Sequence, residues 1–346
     1  MGVMVSLIIP CRNEAFYIKG LIESLLAQEY PREKMEVLFV DGCSEDSTKE
    51  LIWEYGKDLH ELNILNNSQR IVPVALNIGI KASRGELIIR LDAHCFYPSD
   101  YISKLVKWSL MTNADNVGGI CFSKSKSDTS ISNAICIVSS DRLGVGNSRF
   151  RVGVDKIQDV DTVPFGCFKR EIFERIGLFN ESLIRGQDYE FNRRIKSSGG
   201  RIVLVPEISC VYFPRETLWE LWKNRFNTGK WVVAIPYYTK SFNSITIRHF
   251  IPLVFITVLF ILLVLASFSR FFGYCLYGIL LLYISTLSYK CILLRSPKTI
   301  PFHLFLSFIT MHFSYGFGSV TGLASICYQA TASLFKRRKI KYSEKL

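Results

Sequence analysis

Short apolar runs that stop abruptly at polar, acid-bearing clusters set the pattern at the start of the chain. Residues 5–10 run into Cys11-Arg12-Asn13-Glu14, residues 37–40 into Asp41-Gly42-Cys43-Ser44-Glu45-Asp46, and residues 87–91 into Asp92-Ala93-His94. Between these runs the apolar positions shift to helical spacing, as in Ile18, Leu21, Ile22 and Leu25. Runs rich in Val and Ile that alternate with helices predict βαβ units and a parallel sheet. Ligands of such sheets bind beyond the carboxyl ends of the strands. One concave site is therefore expected to collect Glu14, Asp41, Asp92 and His94. Acids in that number beside a buried sheet suit a cation together with a ligand bearing hydroxyls and phosphates.

The same reading predicts strands at 4–10, 35–40, 62–65, 86–91 and 116–122, and helices at 15–28, 47–55, 73–81 and 100–112. Pro73 suits a first helical turn, where no backbone N–H is needed. Residues 123–158 are polar, with a single apolar stretch at 131–138, and read as a functional loop or lid. Order resumes at 161–168, with helices at 170–176 and 189–197 and a strand at 201–205. Residues 215–233 interleave Trp219, Trp222, Phe226 and Trp231 with Lys223, Arg225 and Lys230, which suits a membrane–water boundary. An ordinary helix packing its Trp residues on the sheet is the plainer alternative.

Residues 250–268 and 271–290 are then almost uncharged, with Lys290 closing the second run, and are separated by Ser269-Arg270. A crossing helix needs roughly 20 apolar residues, so a transmembrane hairpin is predicted. Residues 300–335 would span about 54 Å as one helix, longer than a single crossing. Tyr315-Gly316-Phe317-Gly318-Ser319 is expected to break that run into half-helices or a re-entrant turn. The basic stretch Lys336-Arg337-Arg338-Lys339-Ile340-Lys341 should stay cytoplasmic.

Charge sharpens this division. Up to His249 the chain holds 32 Lys and Arg against 29 Asp and Glu; from Phe250 onward it holds 10 against the single acid Glu344. The net charge of +12 thus reflects basic residues flanking apolar runs and gives no support to nucleic-acid binding. The 10 cysteines form no Cys-x-x-Cys pair and read as small hydrophobes in a reducing cytoplasm. The run at 3–10 is too short for a signal peptide and reads as a strand. Met1-Gly2 with Ser6 matches a myristoylation pattern, but Gly2 immediately precedes that strand. Gly144-x-Gly146-x-x-Arg149 is no complete dinucleotide fingerprint, and Gly229-Lys230 lacks the rest of a phosphate loop.

Taken in order, Pro10-x-x-Asn13-Glu14, Val40-Asp41-Gly42-x-Ser44-x-Asp46-x-Thr48, Ala75-x-Asn77-x-Gly79, Gly85-Glu86 and Asp92-Ala93-His94 resemble a family 2 glycosyltransferase of the GT-A fold. Gly166-Cys167-Phe168, Gly177-x-Phe179 and Gln187-Asp188 extend the resemblance over about residues 5–211. The membrane segments that follow resemble those of succinoglycan-type exopolysaccharide glycosyltransferases. The resemblance implies an α/β GT-A domain, Rossmann-like and mostly parallel, over 1–213. An amphipathic interfacial segment at 214–249, a transmembrane region at 250–335 and a basic tail at 336–346 would follow.

The resemblance also implies roles. Asp41 would contact the base of the nucleotide sugar, with Pro10, Asn13, Glu14 and Asn77 in the same pocket. Taken alone, Asp41 reads equally as an acid at a helix N-terminus, and Asn13 or Glu14 as caps of the helix from Ala15. Asp92 would bind the donor and, with His94, a divalent cation, Mn2+ or Mg2+, that neutralises the leaving diphosphate. The family pattern is Asp-x-Asp. Imidazole is a poorer ligand than carboxylate for Mg2+, so His94 points toward Mn2+ or direct phosphate contact. Asp188 would be the general base, with Arg193 and Arg194 close in sequence and Gly166 and Gln187 as acceptor- or donor-loop residues; its plain reading is a helix cap. Asn227-x-x-Lys230-Trp231 partly echoes the Gln-x-x-Arg-Trp motif of processive synthases, with Trp231 identical, so Lys230 and Trp231 are acceptor or donor-loop candidates.

The expected activity is inverting transfer from a nucleotide sugar, UDP-linked by preference, to a lipid-linked or saccharide acceptor. The protein would be a multi-pass enzyme of the cell membrane with a cytoplasmic catalytic domain. A processive synthase and a non-catalytic nucleotide-sugar-binding membrane protein are the rivals. The second rival is disfavoured because Asp92 and Asp188 are both present.

Overall fold

The computed structural model describes residues 2–241 and 247–343. Part of the predicted interfacial segment and the end of the basic tail lie outside the described residues. The chain forms two compact units, one of Met1–Ser127 and Cys136–Pro214, the other of Asp128–Ile135 and Arg215–Leu346.

The first unit opens with β1 (Val5–Cys11), α1 (Ala15–Leu26), β2 (Met35–Asp41), α2 (Thr48–Tyr55), β3 (Leu62–Asn66) and α3 (Val72–Ala82). It continues through β4 (Leu87–Arg90), β5 (Cys95–Phe96), α4 (Tyr101–Thr112) and β6 (Asn116–Ser123). Then come α5 (Ser130–Val138), which the unit boundary crosses, α6 (Arg142–Val145), α7 (Arg149–Val152) and β7 (Gln158–Asp159). The unit ends with β8 (Cys167–Lys169), α8 (Arg170–Ile176), α9 (Gln187–Ser197) and β9 (Ile202–Tyr212).

The strands form one nine-stranded sheet in the order β3-β2-β1-β4-β8-β6-β9-β5, with β7 also on β9. The β1, β2, β3 and β4 ladders are parallel, and in them Cys11 faces Asp41 and Ile8 faces Arg90. The predicted strand ends therefore meet at one edge. The other half departs from the expected parallel sheet, because β8 runs antiparallel to both β4 and β6, and β5 and β7 run antiparallel to β9. An antiparallel strand needs no crossover helix, so short returns such as β8 fit between longer strands.

Both faces of the sheet are covered, which is why its strands read as continuous apolar runs. Leu7, Ile9, Val37, Phe39 and Ile89 pack on one side with Ile18, Leu21, Ile22 and Leu25 of α1 and Leu105 of α4. Ile8, Leu38, Val40 and Ile88 pack on the other with Leu76 and Ile80 of α3 and Phe191 and Ile195 of α9. The thiols of Cys11 and Cys167 are buried, and burial pushes both up to about 12, so they pack as small hydrophobes.

The segment 123–158, expected as a loop or lid, carries three short helices, α5, α6 and α7, between its irregular stretches. Thr129 supplies an N-terminal cap, its hydroxyl accepting the Ser132 N–H at 3.2 Å, and Ala134, Ile135 and Val138 are buried. One apolar stretch was enough to order the segment.

In the second unit, α10 (Leu218–Val232) begins with a Thr217–Glu220 capping box, and α11 (Ile235–Thr239) follows. Next come α12 (Ile251–Ala266), α13 (Arg270–Leu293) and α14 (Pro301–Ser343). The stretches Arg248–Ala266 and Arg270–Leu293, with mean hydropathy 2.8 and 1.6, are long and apolar enough to cross a membrane. Phe260, Leu263, Leu282 and Tyr289 are among the large side chains they expose.

The predicted break in the third apolar run is absent, since α14 is continuous through Tyr315–Ser319. Its glycines serve close packing on α10 instead. A Cβ at Gly318 would lie 2.0 Å from the Phe226 carbonyl oxygen, and one at Gly322 2.4 Å from that of Lys230. Gly229 of α10 answers them, with Tyr315 O 2.1 Å from where its Cβ would be. Small residues that let two backbones approach are a common device of apolar helix pairs. Gly318→Val should therefore force α10 and α14 apart and cost about 1–3 kcal/mol, the usual range for overpacking. Thermal unfolding would read this as a lowered Tm, and an unchanged Tm would contradict the packing role.

Candidate active site at the carboxyl edge of the sheet

Two turns at this edge build one another. After β1, Asn13 adopts a left-handed backbone, φ 54°. Its side-chain oxygen accepts the Glu45 N–H at 2.8 Å, and its own N–H donates to Ser44 Oγ at 2.9 Å. The Glu14 N–H donates to Thr48 Oγ1 at 2.9 Å and the Ala15 N–H to Asp46 Oδ2 at 3.2 Å. The start of α1 is thus satisfied from the β2–α2 turn. Glu14 occupies the N-cap position without a side-chain cap, and its carboxylate lies 3.3 Å from His94 Nδ1.

Asp41 is fully buried, accepting the Ser44 N–H at 3.1 Å and the Ser44 hydroxyl, while Lys49 Nζ lies 3.1 Å away. The hydrogen bond and charge of Asp41 raise the Lys49 pKa. Asp41 thereby shapes the turn beside Pro10, which pairs with Val40 across the β1–β2 ladder.

Asp92 follows β4, and the Tyr97 hydroxyl pins its backbone on both sides, within 2.8 Å of its N and 3.2 Å of its O. Asp92 Oδ1 accepts from Arg90 Nη2 at 3.1 Å and Nε at 3.3 Å. The same guanidinium places Nη1 3.9 Å from Asp188 Oδ2. Burial works against the charge of Arg90, but Asp92 and then Asp188 outweigh it and raise its pKa. Asp188 sits in the first turn of α9, after Gly186 at φ 78°, and its side chain is 50% exposed. Gln187 beside it is buried. The Gly166 carbonyl accepts the Arg90 N–H at 3.1 Å. Arg194 does not serve Asp188: it pairs with Glu190 at 2.7 Å and donates to the carbonyls of Ile176 and Leu178.

The edge therefore gathers Glu14 with His94, and Asp92 with Asp188 through Arg90. Asn77 has other partners. Its amide nitrogen donates to Phe179 O and Glu181 Oε1, each at 2.9 Å, and its oxygen accepts the Phe179 N–H at 3.0 Å. Lys230 and Trp231 belong to α10 in the second unit, where Trp231 stacks on Tyr238 at 5.9 Å. Arg90, Tyr97 and Lys49 escaped the sequence reading. Arg90 did leave a signal, because a charge inside the run Ile88-Ile89-Arg90-Leu91 requires a buried partner.

Among the described residues, no three His, Cys, Asp or Glu groups converge as a self-sufficient metal site. A site in which one or two protein ligands hold a cation and the substrate phosphates complete its shell needs no such cluster. Asp92 Oδ2 accepts no hydrogen bond among the described residues, so one oxygen stays available while Arg90 holds the other.

The fold is GT-A-like, an α/β domain with a mixed sheet and flanking helices. It superimposes with a TM-score of 0.63 on a mannosyltransferase, PcManGT, from Pyrobaculum calidifontis solved in complex with GDP-Man and Mn2+. The match covers 93% of this chain and 88% of that one at 19% identity. Residues 6–177 match the family model described as glycosyl transferase family 2. The succinoglycan biosynthesis protein ExoA of Rhizobium meliloti is 30% identical over 226 residues, 65% of this chain and 67% of that protein. A dolichyl N-acetyl-alpha-D-glucosaminyl phosphate 3-beta-D-2,3-diacetamido-2,3-dideoxy-beta-D-glucuronosyltransferase of Methanococcus voltae is 28% identical, covering 65% of this chain and 71% of its own length. The chain belongs to glycosyl transferase family 2 and is a glycosyltransferase that uses a nucleotide sugar.

The contacts of Asn77 give a direct test. Asn77→Ala should destabilise the protein by about 1–3 kcal/mol, because the Phe179 N–H loses its buried acceptor. Calorimetric titration with UDP or GDP should find nucleotide affinity unchanged. A selective loss of affinity in a fully stable variant would place Asn77 in the donor pocket instead.

Proposed function

We propose that the protein is an inverting, membrane-anchored glycosyltransferase that moves a sugar from a nucleoside-diphosphate donor to a lipid-linked or polysaccharide acceptor. A UDP-sugar is the first donor to test. The observation that carries this reading is the convergence of Asp92 and Asp188, from distant parts of the sequence, on one buried guanidinium.

In such a transfer the acceptor oxygen forms a bond to the anomeric carbon as the bond to the diphosphate breaks, and the hydroxyl proton goes to a base. An acceptor hydroxyl is a poor nucleophile near neutral pH, and a carboxylate within reach can take its proton as the new bond forms. Asp188 suits this role because half of its side chain is open to solvent. Asp92 and His94 are the residues that would hold a divalent cation, whose charge offsets that of the leaving diphosphate. Glu14, 3.3 Å from His94 Nδ1, orients the imidazole from the other side. Asn13 and Asp41 organise the turns that would receive the nucleoside, with Pro10 at their base. Gly166, whose carbonyl accepts the Arg90 N–H, and Gln187, buried beside Asp188, are acceptor- or donor-loop candidates, as are Lys230 and Trp231 on α10.

The printed name of the Methanococcus voltae relative specifies a sugar on dolichyl phosphate, which supports a lipid-linked acceptor here. The apolar, exposed helices α12 and α13 support an anchor. Crossings by α12 and α13 return the chain to its starting side ahead of α14, and the Lys and Arg residues after position 335 lie on that same side provided α14 does not cross. Trp219, exposed and 5.0 Å from Lys223 Nζ, suits a headgroup boundary. This reading keeps the catalytic domain at 1–213, the interfacial segment at 214–249, the membrane region at 250–335 and a basic tail beyond it.

Membranes containing the enzyme, incubated with labelled UDP- and GDP-sugars and extracted with organic solvent, should yield one labelled lipid. Label from no donor would defeat the proposal. Excess EDTA should abolish the transfer, with Mn2+ restoring it better than Mg2+ because His94 replaces a carboxylate. Asp92→Ala should stay inactive at every metal concentration, and full turnover in EDTA would remove the cation from the scheme. Asp188→Asn keeps the shape without the basicity. It should bind nucleotide normally while transfer falls by about 10²–10⁴-fold, the range for loss of a general base. Near-normal transfer by this variant would point to another base.

A further inference from the structure

Building on the roles proposed for Asp92 and Asp188, we infer that Arg90 is a positioning residue. It ties the donor-side carboxylate to the acceptor-side base, so that Asp188 is aimed before the acceptor arrives. Arg90 closes β4 between the buried Ile89 and Leu91, and its own side chain is 13% exposed. A charge placed there is costly unless paired. Both of its carboxylate partners are proposed site residues.

The geometry divides the guanidinium between them. Nε and Nη2 face Asp92 Oδ1 at 3.3 and 3.1 Å, and Nη1 faces Asp188 Oδ2 at 3.9 Å. A planar fork can address two acids at once in fixed directions, whereas an ammonium is a single point charge.

The two ends of the tie differ in rigidity. The Arg90 backbone is fixed by the β1 ladder and by the Gly166 carbonyl. Gly166 is itself confined, since a Cβ there would lie 2.0 Å from Asn116 Oδ1. Asp188 has weaker anchoring. Besides its 3.9 Å ion pair with Arg90, its side chain accepts only the neighbouring Tyr189 N–H, at 2.8 Å, among the described residues. The direction of Asp188 Oδ2 therefore depends on a guanidinium rooted in the sheet. Without that cation, two carboxylates would face each other across the gap it fills, and like charges repel. Gln187 adds no third acid beside Asp188. The tie also leaves Asp92 Oδ2 without a hydrogen bond among the described residues, so it does not block the donor side.

The test is a double-mutant cycle on the full-length enzyme in membranes. Arg90→Lys keeps the charge but loses the fork. It should bind UDP or GDP with Mn2+ to within about threefold of wild type, while transfer at saturating donor falls by about tenfold or more. In the Asp188→Asn background the same Arg90→Lys change should cost less than about twofold, because residues acting as a unit are non-additive. Arg90→Gln, with no cation, should lose more transfer than Arg90→Lys. Three outcomes would overturn the inference: wild-type transfer by Arg90→Lys, equal losses in both backgrounds, or a loss of nucleotide affinity that matches the loss of rate. Failure of the underlying reading is visible separately. If Asp188→Asn alone transfers normally, the base assignment falls, and the positioning role falls with it. If Asp188→Asn is inactive while Arg90→Lys is normal, only the positioning role falls.

Discussion

The buried carboxylate of Glu36 fixes the frame on which the site depends. Its side chain is 2% exposed and accepts the Ser6 hydroxyl, the Arg84 N–H and, at 3.2 Å, the Gly85 N–H. Burial alone would raise its pKa, but these donors outweigh burial and lower it, so the charge is held inside. One residue thereby joins β1, β2 and the turn into β4. Gly85 is required at that turn, because a Cβ would lie 2.5 Å from Ser6 Oγ. Slipping any of these strands by one residue would exchange the side chains between its two covered faces. With the register held, Cys11 stands beside Asp41 and Arg90 beside Ile8. The acid clusters that follow each strand then emerge at a common edge.

The parts of the fold that were legible in sequence are those with enough residues to carry a period. Each strand from β1 to β4 shows an apolar run, and α1, α3 and α4 show the helical stripe that covers it. β5 and β7 have two residues each and β8 has three, too few to display alternation. They exist because longer neighbours offer them ladders, and this tertiary information made the sheet mixed. Polar composition misled at 123–158, where one capped apolar stretch was sufficient for α5. Glycine misled in α14, where Gly316, Gly318 and Gly322 are chosen for what lies beside the helix rather than for a turn.

The site was legible in a similar way. Acids after strands announced the edge, since the sequence shows where each strand stops. Asn77 looked the same as those residues in one dimension, yet it sits within α3 and secures the segment at Phe179. Arg90 was overlooked because it belongs to the apolar run and not to the cluster after it. Its meaning depends on Asp188, which α9 brings in from far along the chain.

Charge is distributed so that this local arrangement matters. Up to Pro214 the chain carries 26 Lys and Arg against 27 Asp and Glu, whereas from Arg215 onward it carries 16 against 3. The part that belongs to the nucleotide-sugar family therefore has no general positive field to draw in an anionic diphosphate. Positive charge near the strand ends is instead set at particular points, Arg90 beside Asp92 and Lys49 beside Asp41. Both are already paired with an acid, so a donor bound at the proposed site would meet ion pairs rather than free cations. Such pairs hold their geometry before the ligand arrives, and preorganised dipoles stabilise developing charge without a reorganisation cost at the moment of reaction.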